Sequence, residues 1–198
     1  TLLGHAREIL ALNDRAVVAL TGDALVGPVR VGLVQDFAET LLSGVLARFS
    51  QLNPDVQLEV RVAGSPELLD LLNGDRLDVV LCMGAADDPH AARVEPMVWH
   101  GEPDLAPAAI LPLAILAPPC RFRDAALAAL EHEGRPFRVA LETPSLSALR
   151  AAVEAGLAVT CRTALFRPRA APIEAGLPAM PQVAYVRRVG PSPHPSIA

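Results

Sequence analysis

Apolar and polar positions recur along this chain with two different periods, and the switches between them mark out its elements. Leu3, Ala6, Leu10, Asn13, Val17 and Leu20 follow a three-four spacing, one stripe of a helix that Thr21-Gly22 and Gly27-Pro28 stop. The lone Asn in that seam suits register-fixing in a paired helix, and it suits equally a helix packed on its own domain. Val29 to Val34 is a β-branched run that predicts a strand. Leu41, Leu42, Val45, Leu46, Phe49 and Leu52 then return at helical spacing until Asn53-Pro54-Asp55. From Val56 to Val62 the period drops to two, so a half-buried strand is expected. Ser65-Pro66-Glu67 reads as a helix opening, with Ser65 as N-cap, proline in the first turn and an acid near the positive helix end. Gly74 closes that helix, and Leu77 to Met83 is the next strand.

The second half repeats the scheme. Leu113 to Ala117 predicts a strand, Arg121 to Glu133 a helix with Ala126, Leu127 and Leu130 inward, and Phe137 to Leu141 a strand. A helix begins at Ser145 and ends at Gly156, Leu157 to Cys161 is a short strand, and a proline-punctuated stretch precedes a last strand over Val183 to Val186. Alternation of this kind predicts an α/β protein with parallel-type sheets covered by helices, and the second strand-helix set implies a second lobe.

Composition narrows the picture. With 198 residues, 52% of them hydrophobic, the chain can bury a proper core, which excludes a disordered or fibrous protein. The 17 basic residues are outnumbered by 22 acidic ones and form no stripe on any predicted helix, so this piece is not expected to grip nucleic acid by itself. Cys82, Cys120 and Cys161 lack the spacing of a zinc site or a disulfide framework, which fits a reducing cytoplasm. The longest uncharged stretch, Leu105 to Cys120, is too short and too rich in proline to span a bilayer, so no membrane association is expected. Thr1 falls inside a helical pattern, which suggests that the sequence starts within a longer protein. His5, His90, His100, His132 and His194 show no metal-ligand pairing and read as surface or locally bonded residues. With no nucleophile elbow and no phosphate loop either, no enzyme, metal or cofactor is expected.

Three stretches carry a family likeness. Gly27-Pro28-Val29-Arg30-Val31-Gly32, Asn53-Pro54-Asp55-Val56 and Gly74-Asp75-Arg76-Leu77-Asp78-Val79-Val80-Leu81 together resemble, in order and spacing, the effector domain of LysR-type transcription regulators. Leu111-Pro112-Leu113, Cys120 through Leu127, and Ser145 through Thr160 are similar to the branch that includes motility and virulence repressors. The resemblance implies a two-lobed, type-2 periplasmic-binding-protein-like fold with two crossing strands, expected near Trp99 to Pro112 and near Val183 to Arg188. It implies a linker helix over 1–22, a first lobe of 28–110 plus 189–198 and a second of 111–188. It also implies a small-molecule effector in the interlobe cleft, DNA contact only through a winged helix-turn-helix outside this sequence, and a homodimer or homotetramer. The helices Phe37 to Leu52 and Arg121 to Glu133 are the candidate assembly surfaces. Of the rivals, an extracytoplasmic solute-binding protein shares the fold, and an enzyme on a related fold lacks any acid-base cluster.

Ligands of open α/β sheets bind beyond the carboxyl ends of the strands, where helix starts present free N–H groups. Here those points are Gln35-Asp36-Phe37, Gly64-Ser65, Cys120-Arg121-Phe122-Arg123 and Thr143-Pro144-Ser145. Ser65 and Ser145 are read both as N-caps and as ligand contacts. Asp36 is expected to face Arg123 across the cleft or to meet an amine or hydroxyl of the ligand. Arg121 and Arg123 serve either an anion or solvent. Cys120, at a helix start between proline and arginine, is either a redox-sensing thiol or a packed small residue. Trp99 either floors the cleft or packs a hinge.

Overall fold

The computed structural model describes residues 28–54, 56–173 and 176–194, so the helix expected over 1–22 and the segment 195–198 lie outside the described residues. The first lobe is built on a five-stranded sheet. In it β1 (Val29–Leu33) pairs in parallel with both β2 (Leu58–Val62) and β3 (Val79–Gly84). Parallel neighbours need crossovers, and α1 (Gln35–Leu52) and α2 (Ser65–Asn73) supply them. Gly32 is where α2 closes tightly on the sheet: a Cβ there would stand 2.7 Å from Leu77 Cδ1 and 3.0 Å from Leu68 Cδ2. Two antiparallel strands, β4 (Ala91–Pro96) and β9 (Gln182–Val189), complete the sheet in the order β2-β1-β3-β9-β4.

The Gly74-to-Leu81 stretch owes its pattern to a half-buried ion pair. Asp78, 2% exposed, accepts hydrogen bonds from the Arg30 backbone N–H at 2.6 Å and from its guanidinium at 2.8 Å, while Arg30 also donates to the Asp75 carbonyl at 2.6 Å. Burial alone would lift the Asp78 carboxyl, but the Arg30 hydrogen bonds and charge outweigh it and hold the acid below its ordinary range.

In the second lobe β6 (Leu111–Leu116) pairs in parallel with β7 (Phe137–Thr143), and an isolated bridge from Leu113 to Val159 joins it to the run leading into β8 (Thr160–Arg162). β8 pairs antiparallel with β5 (Val98–His100). β6 is enclosed between neighbours, which is why Leu111, Leu113, Ala114 and Ile115 are all buried. Pro112 is tolerated because its carbonyl still accepts from Val159 N–H at 2.9 Å and the ladder shifts register just after it. α3 (Arg121–His132) and α4 (Leu146–Glu154) cover the sheet. One core cluster runs from Leu33, Leu68 and Val80 through Met97, Trp99 and Val183 to Leu113 and Leu130, and a second lies under α4 around Leu149, Val153 and Phe166.

Several expectations need correction. Trp99 already pairs with Cys161 of the second lobe, whereas Gln182 to Val189 pair with β3 and β4 of the first. The crossings therefore fall near 96–98 and just before Gln182, not near Trp99 to Pro112 and Val183 to Arg188; 182–188 belongs with the first lobe. β4 was not foreseen, since Ala91-Ala92-Arg93-Val94-Glu95-Pro96 has too little apolar character to read as a strand, and it lies at the sheet edge. The strand expected from Val56 begins at Leu58 and is not half-buried, because β2 is the opposite edge and Val60 and Val62 are 37% and 43% exposed. Ser65 does not cap α2; Gly64 holds the N-cap position, and the Ser65 Oγ accepts from Met83 N–H at 3.2 Å. Among the histidines read as surface or locally bonded, one is buried and bonded across the fold. His100 is 1% exposed and its Nε2–H donates to the Thr163 carbonyl at 3.0 Å.

Candidate functional site

Between the lobes lies a cleft of about 240 Å³, and helix starts meet there from both sides. The first lobe brings Val34, Gln35 and Asp36 at the start of α1, and Ala63, Gly64 and Ser65 at the start of α2. The second lobe brings the Leu116-to-Phe122 segment, which leads into α3 through the cis Pro118–Pro119 peptide, together with Pro144 and Arg162. First-turn amides have no acceptor within their own helix, so three converging helix starts make the cleft wall rich in hydrogen-bond donors.

A buried ion pair spans the floor. Asp36 and Arg162 are 4% and 2% exposed, and the Arg162 Nη2–H donates to Asp36 Oδ2. The guanidinium lies over the Phe122 ring at 4.2 Å and directs Nη1 toward Cys120 Sγ at 3.7 Å. Neither Asp36 Oδ1 nor Arg162 Nε has a hydrogen-bond partner among the described residues. Farther out, Gln35 clasps the second lobe with both ends of its amide: Nε2–H donates to the Pro144 carbonyl at 2.8 Å, and Oε1 accepts from Leu146 N–H at 2.6 Å. Glu39 adds an ion pair to Arg150 at 2.8 Å. Tyr185 of β9 packs edge-on against Phe37 at 5.1 Å and donates its hydroxyl to Thr163 Oγ1 at 2.8 Å.

This arrangement can select a ligand, and among the described residues that line it no nucleophile is poised beside a base. Among the described residues no cluster of three or more His, Cys, Asp or Glu side chains is placed to hold a metal. All three cysteines are free thiols; burial pushes Cys161 up to about 12 and raises Cys82 as well.

Comparison with known proteins decides the family: the model for the LysR substrate binding domain matches residues 22–192. The chain belongs to the LysR substrate-binding domain family. It is 34% identical over 190 residues to the HTH-type transcriptional regulator PecT of Dickeya dadantii, covering 92% of this chain and 60% of PecT. It is 36% identical over 191 residues to the HTH-type transcriptional regulator DgdR of Burkholderia cepacia, covering 93% of this chain and 64% of DgdR. The chain thus spans less than two thirds of the length of these relatives. In fold it is similar to the Synechocystis PCC6803 CcmR regulatory domain, solved in complex with 2-PG, with a TM-score of 0.63 and 14% identity over 86% of this chain and 91% of that one. The two-lobed, periplasmic-binding-protein-like fold expected from the sequence is the one observed, and the family is a binding domain rather than an enzyme.

Within this LysR-type domain the expected site residues divide into two groups. Gln35, Asp36, Gly64, Ser65, Cys120 and Phe122 line the cleft. Phe37, Trp99, Arg123, Thr143 and Ser145 lie off it. Trp99 is 3% exposed in the core near the crossing, with its indole N–H donated to the Pro178 carbonyl at 2.8 Å. Ser145 caps α4 by accepting from Ala148 N–H at 3.3 Å, and Thr143 Oγ1 accepts from Ser145 N–H at 3.1 Å. The expected Asp36–Arg123 pairing does not form, because Arg123 reaches Glu142 at 3.5 Å and Asp36 takes Arg162. Sequence reasoning missed Arg162 by ending the strand at Cys161. The available signal was a lone arginine following an apolar run at the carboxyl end of a strand, where ligand-facing side chains gather.

Proposed function

We propose that this chain is the effector-sensing and oligomerisation region of a LysR-type DNA-binding regulator, working in the cytoplasm. A small molecule enters the interlobe cleft, and the change in lobe packing is relayed to a winged helix-turn-helix elsewhere in a longer protein. The observation that carries this reading is the cleft itself, in which helix starts from both lobes converge on a partly unsatisfied ion pair inside a domain of this family. Similarity to the transcriptional regulators PecT and DgdR supports a regulator over a solute-binding protein. Among the described residues no helix is long and apolar enough to cross a membrane. Assembly as a homodimer or homotetramer is supported by apolar side chains left exposed on α1 and the β2 edge, Leu46, Val60 and Val62.

A blocked cleft gives the test. A Cβ at Gly64 would stand in ordinary contact, 3.9 Å from Pro119 of the opposite lobe, so Gly64→Phe puts a ring where the two walls of the cleft face each other. A metabolite library screened by thermal shift should return compounds that raise the Tm of the native chain and leave the variant unmoved. Hits that stabilise both equally would place binding elsewhere and overturn the proposal.

A further inference from the structure

Resting on the cleft reading above, we infer that the lobes pivot on the α1 flank, and that the cleft opens, admits a ligand and closes between α2 and α3. The bonds between the lobes lie on one side. Gln35 holds Pro144 and Leu146, Asp36 holds Arg162, Glu39 holds Arg150, and Tyr185, packed against Phe37 of α1, holds Thr163. The other side is different. Ser65 and Glu67 at the start of α2, and Asp88 before β4, bond within the first lobe, while Arg123 on α3 bonds to Glu142 within the second. Among the described residues no hydrogen bond or ion pair joins α2 or residues 84–88 to α3.

A cavity of about 710 Å³ takes the place of such bonds. Its walls include Pro66 and Leu69 on α2 and Arg121 and Ala125 on α3, and it reaches Met97 and Pro181 at the crossings. Pro66 and Arg121 are exposed and Leu69 and Ala125 half-buried, so these walls are open to solvent. Ser65, Pro119 and Cys120 line both this cavity and the cleft, so the two spaces adjoin. The lobes are thus tied at two places, the α1 bonds and the crossings, where Met97 N–H donates to the Pro181 carbonyl at 3.0 Å. Hydrogen bonds are short-ranged and directional and keep each of these places in register, whereas apolar contact has no preferred direction and lets surfaces slide. A rotation that spares both ties is taken up in the gap between α2 and α3, which is hinge closure about fixed points.

The experiment measures distances across both flanks of the purified chain by double electron-electron resonance, each labelled chain diluted with unlabelled chain. Cys120→Ser removes the half-exposed thiol, and Cys82 and Cys161 are buried away from the label. One nitroxide pair sits at the exposed positions of Asp70→Cys and Ala128→Cys, on α2 and α3, and the other at those of Ala47→Cys and Ala151→Cys, on α1 and α4. The α2–α3 distribution should be broader than the α1–α4 one by more than about 2 Å, the scale of a domain rearrangement. Gly64→Phe, which wedges a ring between the walls, should move the α2–α3 mean outward by a similar amount and leave the α1–α4 mean in place. Circular dichroism and the urea midpoint check that each variant is folded. Distributions of equal width with neither mean moved by the wedge, or a shift on the α1–α4 side, would overturn the pivot and leave the sensor reading standing. A thermal-shift screen without a single hit, with only the α2–α3 pair broad, would overturn the sensor reading and leave the pivot.

Discussion

Removing Asp36 should expose how much the buried pair costs when it is broken. The change Asp36→Ala leaves the Arg162 guanidinium 2% exposed with only the Phe122 ring at 4.2 Å and Cys120 Sγ at 3.7 Å for company. Attraction between unit charges at contact distance is worth roughly 4 kcal/mol at the effective dielectric that suits protein sites. The ring contact is already made in the native chain and so offsets none of that loss. Truncating one partner of a buried ion pair typically destabilises by about 3–5 kcal/mol, and Asp36→Ala should fall in that range. Arg162→Met should cost less, because the carboxylate it strands sits in the first turn of α1, where the helix dipole contributes about 0.3–1 kcal/mol. The double variant should be more stable than Asp36→Ala alone by about 2 kcal/mol or more, since replacing a buried pair as a unit removes the stranded charge. Urea unfolding followed by the fluorescence of Trp99, the chain's one tryptophan, and by far-UV circular dichroism gives all four free energies. An Asp36→Ala chain within about 1 kcal/mol of the native one, or a double variant no better than the single, would refute the reasoning.

Other parts of the structure make three further predictions. Burial depresses His100 to about 4 from an ordinary 6.5, so between those values the unfolded chain binds a proton that the folded chain refuses. Stability should therefore fall by about 3 kcal/mol as pH drops through that window, and His100→Gln should flatten that part of a urea-midpoint-against-pH curve. Gln35→Ala removes both clasp hydrogen bonds, each worth about 1 kcal/mol; hydrogen exchange of the Leu146 amide should rise markedly, and unchanged exchange would rule out the clasp. Gly32→Ala presses a methyl group onto Leu77, Leu68 and Val80 and should cost about 1–3 kcal/mol in chemical denaturation.

Much of the fold was legible because its signals are local. The runs at Val29, Leu77 and Leu113 are inner strands of mainly apolar character, interrupted in the first by Arg30 and in the second by Asp78, and the proline and glycine punctuation around Pro66 and Gly74 marks helix ends through backbone geometry alone. What escaped is non-local. β4 carries Arg93 and Glu95, an edge composition that reads as loop until β9 is seen beside it. The alternation from Val56 to Val62 is real as sequence, yet a second layer must cover one face before it becomes burial, and the sheet edge is left open. The site divides in the same way. Helix starts can be placed from one segment, and Gln35, Asp36, Gly64, Ser65, Cys120 and Phe122, read from them, all line the cleft. Which cation answers Asp36 depends on two lobes docking across 126 positions of sequence, and charge alone made Arg123 as good a choice as Arg162.

That docking places an uneven share of the interlobe contact on one short piece of chain. Gln35, Asp36 and Glu39 all belong to the first turns of α1, and they reach respectively the start of α4, the end of β8 and Arg150 on α4. Gln35 and Glu39 stand four residues apart and Asp36 and Glu39 three, spacings that bring side chains to one side of a helix, so these contacts form or break together when the helix turns. The same helix carries the exposed Leu46 farther along, on the candidate assembly surface. A ligand that touches both lobes at once adds contacts only where the lobes are closed, and it can move α1 only by that difference in affinity. To take closed lobes from a minor to a dominant population, the closed form must bind it about 10⁴-fold better, roughly 5.5 kcal/mol. Two charge-assisted hydrogen bonds of about 1.5–3 kcal/mol each reach that amount only at the upper end of their range, and one alone does not.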